Sequence, residues 1–224
     1  MPEVGAVAAW STMSVTRAQY WDGQAENYDR TTAFLEPRLF APARRWIAER
    51  VSGRTLEVGV GTGANLPYYA DRVADLTITD VSPAMLRAAS ARAKALGVPV
   101  RLVEADTAHL DLPGGSFDTV VSTFAMCCVA DELAVLRELA RVLRPGGRLL
   151  MADHVESSAR LGRGVQRVLD GVTPARAGEH HRRRPLLLLE QAGLTLTESG
   201  ASRWRLVERL AATRSPSPAL AETP

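Results

Sequence analysis

With 224 residues, 46% of them hydrophobic and 23% charged, the chain has room for one sizeable α/β core and lacks the composition of a disordered or fibrous protein. A net charge of +2 supplies no overall field for nucleic acid or an anionic membrane. Cys127 and Cys128 are adjacent and offer neither a disulfide framework nor metal-ligand spacing, which points to a reducing, cytoplasmic setting.

In chain order, residues 1–15 read as a flexible extension without the basic start of a signal peptide. Residues 17–52 read as helical, with Leu39, Phe40, Ala43, Ile47 and Val51 on one stripe, and Gly53 ends that segment. RTLEV is the first strand, a glycine-rich loop follows, and a short helix is expected near Leu66–Arg72. LTIT is a second strand closed by Asp80. SPAMLRAASARAKAL has Ser82 as N-cap, Pro83 in the first turn and Gly97 as its stop, the pattern of an amphipathic helix. VRLVEA and SFDTVVST are strands three and four. DELAVLRELARVL is a helix starting near Asp131, RPGG breaks it, and RLLMADHV is strand five.

This alternation predicts a doubly wound α/β fold with a parallel sheet covered on both faces. After Val155 it lapses: short helices are expected around Val165–Leu169 and Pro185–Gln191, and no run is long enough to span a bilayer. LTLTESGAS and RWRLVERLAAT then read as an antiparallel pair at the sheet edge, giving seven mostly parallel strands with an antiparallel edge strand. The Pro/Ser-rich tail 213–224 reads as disordered. No internal repeat or second domain is evident, so residues 16–212 form one domain with a helical lid (17–52) and an insert (156–185).

The stretch LEVGVGTGAN carries the first chemical signal. Gly59, Gly61 and Gly63 follow a strand and open a helix, so a ligand can approach the backbone at the carboxyl ends of the strands. Gly59, Gly61 and Ala64 satisfy the dinucleotide pattern, while Glu57, two before the first glycine, suits S-adenosylmethionine; the loop alone fits both. Asp80, at the end of strand two, is placed to accept from ribose hydroxyls, or to cap the following helix.

The later run EADTAHLDLPGGSFDTVV followed by LRELARVLRPGGRLLMADHV resembles the class I S-adenosylmethionine-dependent methyltransferases. It is similar above all to the small single-domain branch that includes the menaquinone/ubiquinone, phosphatidylethanolamine and thiol methyltransferases. The resemblance covers roughly residues 20–155. It implies a Rossmann-like methyltransferase fold and S-adenosyl-L-methionine as cofactor. Glu57, Gly59, Gly61 and Gly63 would form the loop at its methionine part, and Asp80 would meet the ribose. Val81 and Met85 would flank the adenine, Asp106 would lie near the adenine amino group with Thr107 beside it, and Ser122 and Thr123 would lie beside the transferable methyl. Tyr28 matches a tyrosine that closes over the cofactor's carboxylate end.

His154, at the end of strand five and directly after Asp153, is the candidate catalytic residue, either as a general base or as a group that orients the pocket. Trp21, Phe34, Phe124, Cys127, His154 and Leu161 are candidates for the substrate side; Cys127 and Cys128 also read as buried apolar filling. His180 and His181 precede Arg182, Arg183 and Arg184, a run that either meets an anionic substrate or forms a solvated face. No metal is expected. The expected acceptor is a small molecule, methylated on O, N or S. The alternatives are a carbon of a quinone or lipid-like substrate, a non-catalytic cofactor-binding module, and a nicotinamide-dependent oxidoreductase. No nucleic-acid partner and no stable membrane insertion are expected, and either a monomer or a homodimer fits.

Overall fold

The computed structural model describes residues 17–69, 72–73, 75–154, 184–202 and 206–215. The predicted strands form at β1 (Arg54–Val58), β2 (Asp75–Asp80), β3 (Arg101–Glu104), β4 (Phe117–Thr123) and β5 (Leu143–His154), followed by β6 (Leu194–Ala201) and β7 (Val207–Arg214). They make one sheet of order β3-β2-β1-β4-β5-β7-β6. β1 to β5 pair in parallel, and β7 runs antiparallel to both β5 and β6. The inner strands are nearly continuous in burial because helices cover both faces. The antiparallel pair lies at the sheet edge as the sequence indicates, with β7 inserted between β5 and β6.

The helical entry region is segmented. Residues 17–24 form α1, Tyr28–Thr32 form α2, Glu36–Phe40 make a π-helical turn, and Ala41–Ala48 form α3. α4 spans Leu66–Tyr69, α5 Pro83–Leu96 and α6 Glu132–Val142. The capping signals work as read. Ser82 accepts from the Met85 N–H, Gly97 ends α5 at φ +68°, and Asp131 accepts from Leu133 and Ala134 N–H at 2.9 and 3.0 Å. On one face of the sheet Ile47, Leu66, Leu86 and Ala89 pack against Ile78 and Val121; on the other Leu136 and Leu139 of α6 pack against Val120 and Leu149.

Two local expectations change. RPGG does not separate α6 from a strand: β5 begins at Leu143 and carries these residues as an irregularity, its partner moving from Leu143 opposite Phe117 to Arg148 opposite Thr119. The extra residues bulge out of the ladder while both flanks keep their pairing. Pro185–Leu188 and Glu190–Ala192 form 3-10 turns rather than a continuous helix. The extension 1–15, Leu161, the Val165–Leu169 helix, His180 to Arg183, the insert up to residue 183 and the tail from 216 lie outside the described residues. Among the described residues no helix is long and apolar enough to cross a membrane.

The glycine loop is fixed against α5 at Gly63. Its φ is +79°, and a Cβ there would lie 2.6 Å from Leu66 Cδ1 and 3.2 Å from the Ala89 backbone. Gly63→Ala is therefore expected to destabilise the fold by roughly 1–3 kcal/mol, read as a lower urea midpoint at unchanged slope.

Candidate active site

The switch in strand order between β1 and β4 opens a crevice at their carboxyl ends. A cleft lies there that holds about 660 Å3 of space, part of it open to solvent. Its walls include Gly59, Gly61, Asp80, Val81, Met85, Asp106 and Thr107, with Tyr28, Trp21 and Phe124 closing it. A smaller recess of about 440 Å3 adjoins it, lined by Phe40, Arg44, Phe124, Cys127 and His154 among others. Trp21, Tyr28, Phe124 and Cys128 line both spaces.

The glycine loop shapes the first cavity. Gly59 adopts φ +60°, and a Cβ on it would sit 2.6 Å from Ala125 Cβ, so only glycine lets β1 and β4 close here. A Cβ on Gly61, at φ +55°, would meet no protein atom within 4 Å. Space therefore remains above Gly61 for a ligand to reach the backbone. Asp80 accepts from Gly61 N–H at 2.8 Å through Oδ2 and from Ser82 N–H at 2.9 Å through Oδ1. Burial pushes its carboxyl up, partly opposed by these N–H groups. The Val81 N–H also favours the charged carboxylate, and three backbone N–H groups leave acceptor capacity on its two oxygens. Asp80 thus combines two roles that the sequence leaves open: it holds the loop and lines the cavity.

The entry helices are tied down at three places that sequence reading missed. Arg17 donates to Asp106 Oδ2 at 3.1 Å and to the Cys128 carbonyl at 3.2 Å. Asp22 accepts from Ser82 Oγ at 2.6 Å and Ala84 N at 2.9 Å, at the start of α5. Asp29 accepts from Thr62 Oγ1 at 2.6 Å and pairs with Arg92. The carboxylates of Asp22 and Asp29 fall in WDGQAENYDR, but nothing local in that stretch specifies partners 33 to 63 residues away.

Glu57, Gly63, Ser122 and Thr123 line neither space. Glu57 is instead the centre of a buried network behind the loop. Asn65 Nδ2 donates to Glu57 Oε1 and Thr123 Oγ1, both at 2.8 Å, and Arg44 of α3 donates to Asn65 Oδ1 at 2.9 Å and Glu36 Oε1 at 3.0 Å. The Tyr69 hydroxyl is coupled to the Glu57 carboxyl and, with Arg44 and Asn65, partly opposes the effect of burial on it. Burial raises the Glu57 carboxyl to about 7 and the Tyr69 phenol well above its usual value.

On the recess side, Phe124 is the described non-glycine residue with positive φ, at 56°. Such a backbone costs about 1–3 kcal/mol in a bulky residue. It swings the ring between Phe40 and His154, at centroid distances of 4.6 and 5.0 Å, with the Arg44 guanidinium 5.3 Å from its centre. Asp153 is buried behind His154, and burial raises its carboxyl to about 6. Among the described residues no group of three or more His, Cys, Asp or Glu is placed to hold a metal. Phe34, a candidate from the sequence, lines neither space and is 80% exposed.

Residues 56–151, from β1 to β5 and including the glycine loop and Asp80, match the methyltransferase domain family. This segment is similar to a methyltransferase domain, and the fold around it is that of the class I S-adenosylmethionine-dependent methyltransferases. The chain is 42% identical to the phosphatidylethanolamine N-methyltransferase of Cereibacter sphaeroides over 118 residues, 51% of this chain and 58% of that one. It is 38% identical to the demethylmenaquinone methyltransferase of Thermus thermophilus over 107 residues, 47% of this chain and 49% of that one. The matched segments thus span about half the length of these curated relatives. A solved S-adenosylmethionine-dependent methyltransferase from Aquifex aeolicus shares the fold with a TM-score of 0.65 at 19% identity, covering 86% of this chain and 98% of that one.

The raised carboxyls set a pH dependence in this methyltransferase domain. Glu57 and Asp153 titrate near 7 and 6 in the fold, against ordinary values of 4.5 and 3.8. The fold therefore favours their neutral forms. Their stabilising contribution is complete below about pH 4 and is lost as pH rises through 6 to 7. Glu57→Gln should flatten the fall in stability between pH 5 and 8 and be roughly 2–3 kcal/mol more stable than the native chain at pH 8, measured by urea unfolding at both pH values.

Proposed function

We propose that the protein transfers the methyl group of S-adenosylmethionine to a heteroatom of a small molecule held in the recess. The observation that carries this reading is the shared wall of Trp21, Tyr28, Phe124 and Cys128, which brings the cleft over the glycine loop and Asp80 and a second, aromatic-lined space into contact. In this reading Asp80 receives the ribose hydroxyls, Val81 and Met85 flank the adenine, and Gly59 and Gly61 admit the methionine part. Asp106 and Thr107 lie at the adenine end, where Arg17 joins Asp106 to the lid. Tyr28 covers the opposite end, and Glu57, Gly63, Ser122 and Thr123 support the wall from behind.

The cofactor supplies a methyl already activated on a sulfonium. The chain's own residues then have three tasks: align the acceptor, exclude water and take up a proton where the acceptor has one. The latched lid and the rings of Trp21, Phe40 and Phe124 serve the first two. His154, on the recess wall beside Phe124, is the group placed for the third. A proton-bearing heteroatom, a phenol, thiol or protonated amine, matches that placement. The N-methyltransferase likeness also favours a heteroatom.

Incubation with radiolabelled S-adenosylmethionine and a panel of phenols, amines, thiols, quinones and lipids tests the reading directly. Labelled O-, N- or S-methyl product is expected, and His154→Ala should lower turnover by roughly 10²–10⁴ while adenosylhomocysteine affinity is kept. Asp80→Ala should weaken adenosylhomocysteine by about 1–3 kcal/mol in calorimetry. Labelling only at carbon would overturn the heteroatom assignment. Saturable NAD binding without any adenosylhomocysteine binding would overturn the reaction class.

A further inference from the structure

Two thiols at the wall between the cavity and the recess take no chemical step in methyl transfer. Cys127 and Cys128 are consecutive in the 3-10 turn Met126–Cys128, and their Sγ atoms lie 3.5 Å apart. Adjacent side chains usually diverge, so this convergence is imposed by the fold. Met126 N–H donates to Asp153 Oδ2 at 2.6 Å, Cys127 donates to Asp153 through both its N–H and its thiol, and Cys127 Sγ lies 3.6 Å from the Phe124 carbonyl. Cys127 faces the recess and Cys128 lines both spaces.

The geometry selects what can join them. A trans peptide holds neighbouring Cα atoms about 3.8 Å apart, short of the roughly 4.4–6.8 Å that disulfides span. Closing a disulfide would also draw the sulfurs to about 2.05 Å. An atom inserted between them, bonded once to each sulfur, leaves the sulfurs near their present separation. A tetrahedral divalent cation needs more ligands than two thiols, and among the described residues no group of three is in place. A trivalent metalloid carrying one organic group needs two sulfurs and nothing more.

We propose that Cys127 and Cys128 form a dithiol site for a thiophilic, monosubstituted trivalent arsenical in the recess wall. On binding, two S–H bonds break and two S–As bonds form. The arsenoxide oxygen leaves with both protons as water, and no electron is transferred. The organic group has room beside Trp21, Phe124 and His154. The bound metalloid therefore excludes a methyl acceptor, a consequence that rests on the recess being the acceptor pocket, whereas the binding itself does not.

Phenylarsine oxide is the probe. Intact-mass spectrometry should show one phenylarsenic per chain, stable to excess glutathione, released by dithiothreitol, and accompanied by protection of both thiols from iodoacetamide. Because the second S–As bond is intramolecular, Cys127→Ser and Cys128→Ser should each weaken binding by roughly 10²-fold or more, with a cooperative urea transition at native-like midpoint reporting that each variant is folded. An adduct that glutathione strips from the native chain, or a single variant that binds as tightly as the native chain, overturns the proposal. The two readings fail separately. Absence of adenosylhomocysteine binding would remove the methyl-transfer reading and leave the mass result standing, and a missing adduct with methyl transfer intact would do the reverse.

Discussion

A carboxyl group at the buried end of a central parallel strand must be satisfied inside the protein, and much of the site is arranged around that requirement. Glu57 is buried from bulk solvent, and an unpaired charge there would be costly. The fold answers with burial of a neutral or shared form and with Asn65, which bridges Glu57 to Thr123 of β4. Arg44 completes the set by tying Asn65 to α3 and to Glu36. One polar network therefore joins the first strand, the glycine loop, the fourth strand and the helical entry region. The loop cannot shift without disturbing all four.

That constraint explains a division of labour among the acidic groups. Glu57 works from behind the loop and Asp80 from in front of it, where its oxygens hold Gly61 and the start of α5 while still lining the cavity. Asp153 repeats the pattern one layer over. It is buried, its carboxyl is raised to about 6, and it orders the 3-10 turn that carries the two thiols. Backbone strain at Phe124 is stored in the same neighbourhood, between Ala125, which closes on Gly59, and the ladder contact of Phe124 N–H with the Ala152 carbonyl at 2.7 Å. The surrounding pairing is what holds a bulky ring in that conformation.

The entry helices are attached differently. Their ties are charged groups at the margin of the cavity: Arg17 to Asp106, Asp22 to the first turn of α5, Asp29 to Thr62 and Arg92. Partly exposed ion pairs of this kind contribute little each. A covering held by several weak polar contacts can open for exchange of a ligand more readily than one held by a packed core.

The sequence by itself determined the alternation of strands and helices, the caps of α5 and α6, the glycine loop and the acidic end of β2, because each is written in local periodicity or in a residue whose backbone or hydrogen-bonding chemistry is distinctive. Gly59, Gly61 and Asp80 could be named from such signals, Val81, Met85, Asp106 and Thr107 from the family resemblance, and one cavity gathers them. The roles of Arg44, Asn65 and Arg17 could not, since a guanidinium or an amide carries no mark of a partner dozens of residues away. Nor could the sequence show that Glu57, Ser122 and Thr123 stand behind the cavity wall, because alternation along a strand assigns a side chain to a face and not to a depth. The RPGG run carries the signature of a turn, yet the pairing of Phe117 with Leu143 keeps it within β5. The convergence of Cys127 and Cys128 was likewise decided only by tertiary structure: Asp153, on another strand, sets the turn that brings two normally diverging side chains together.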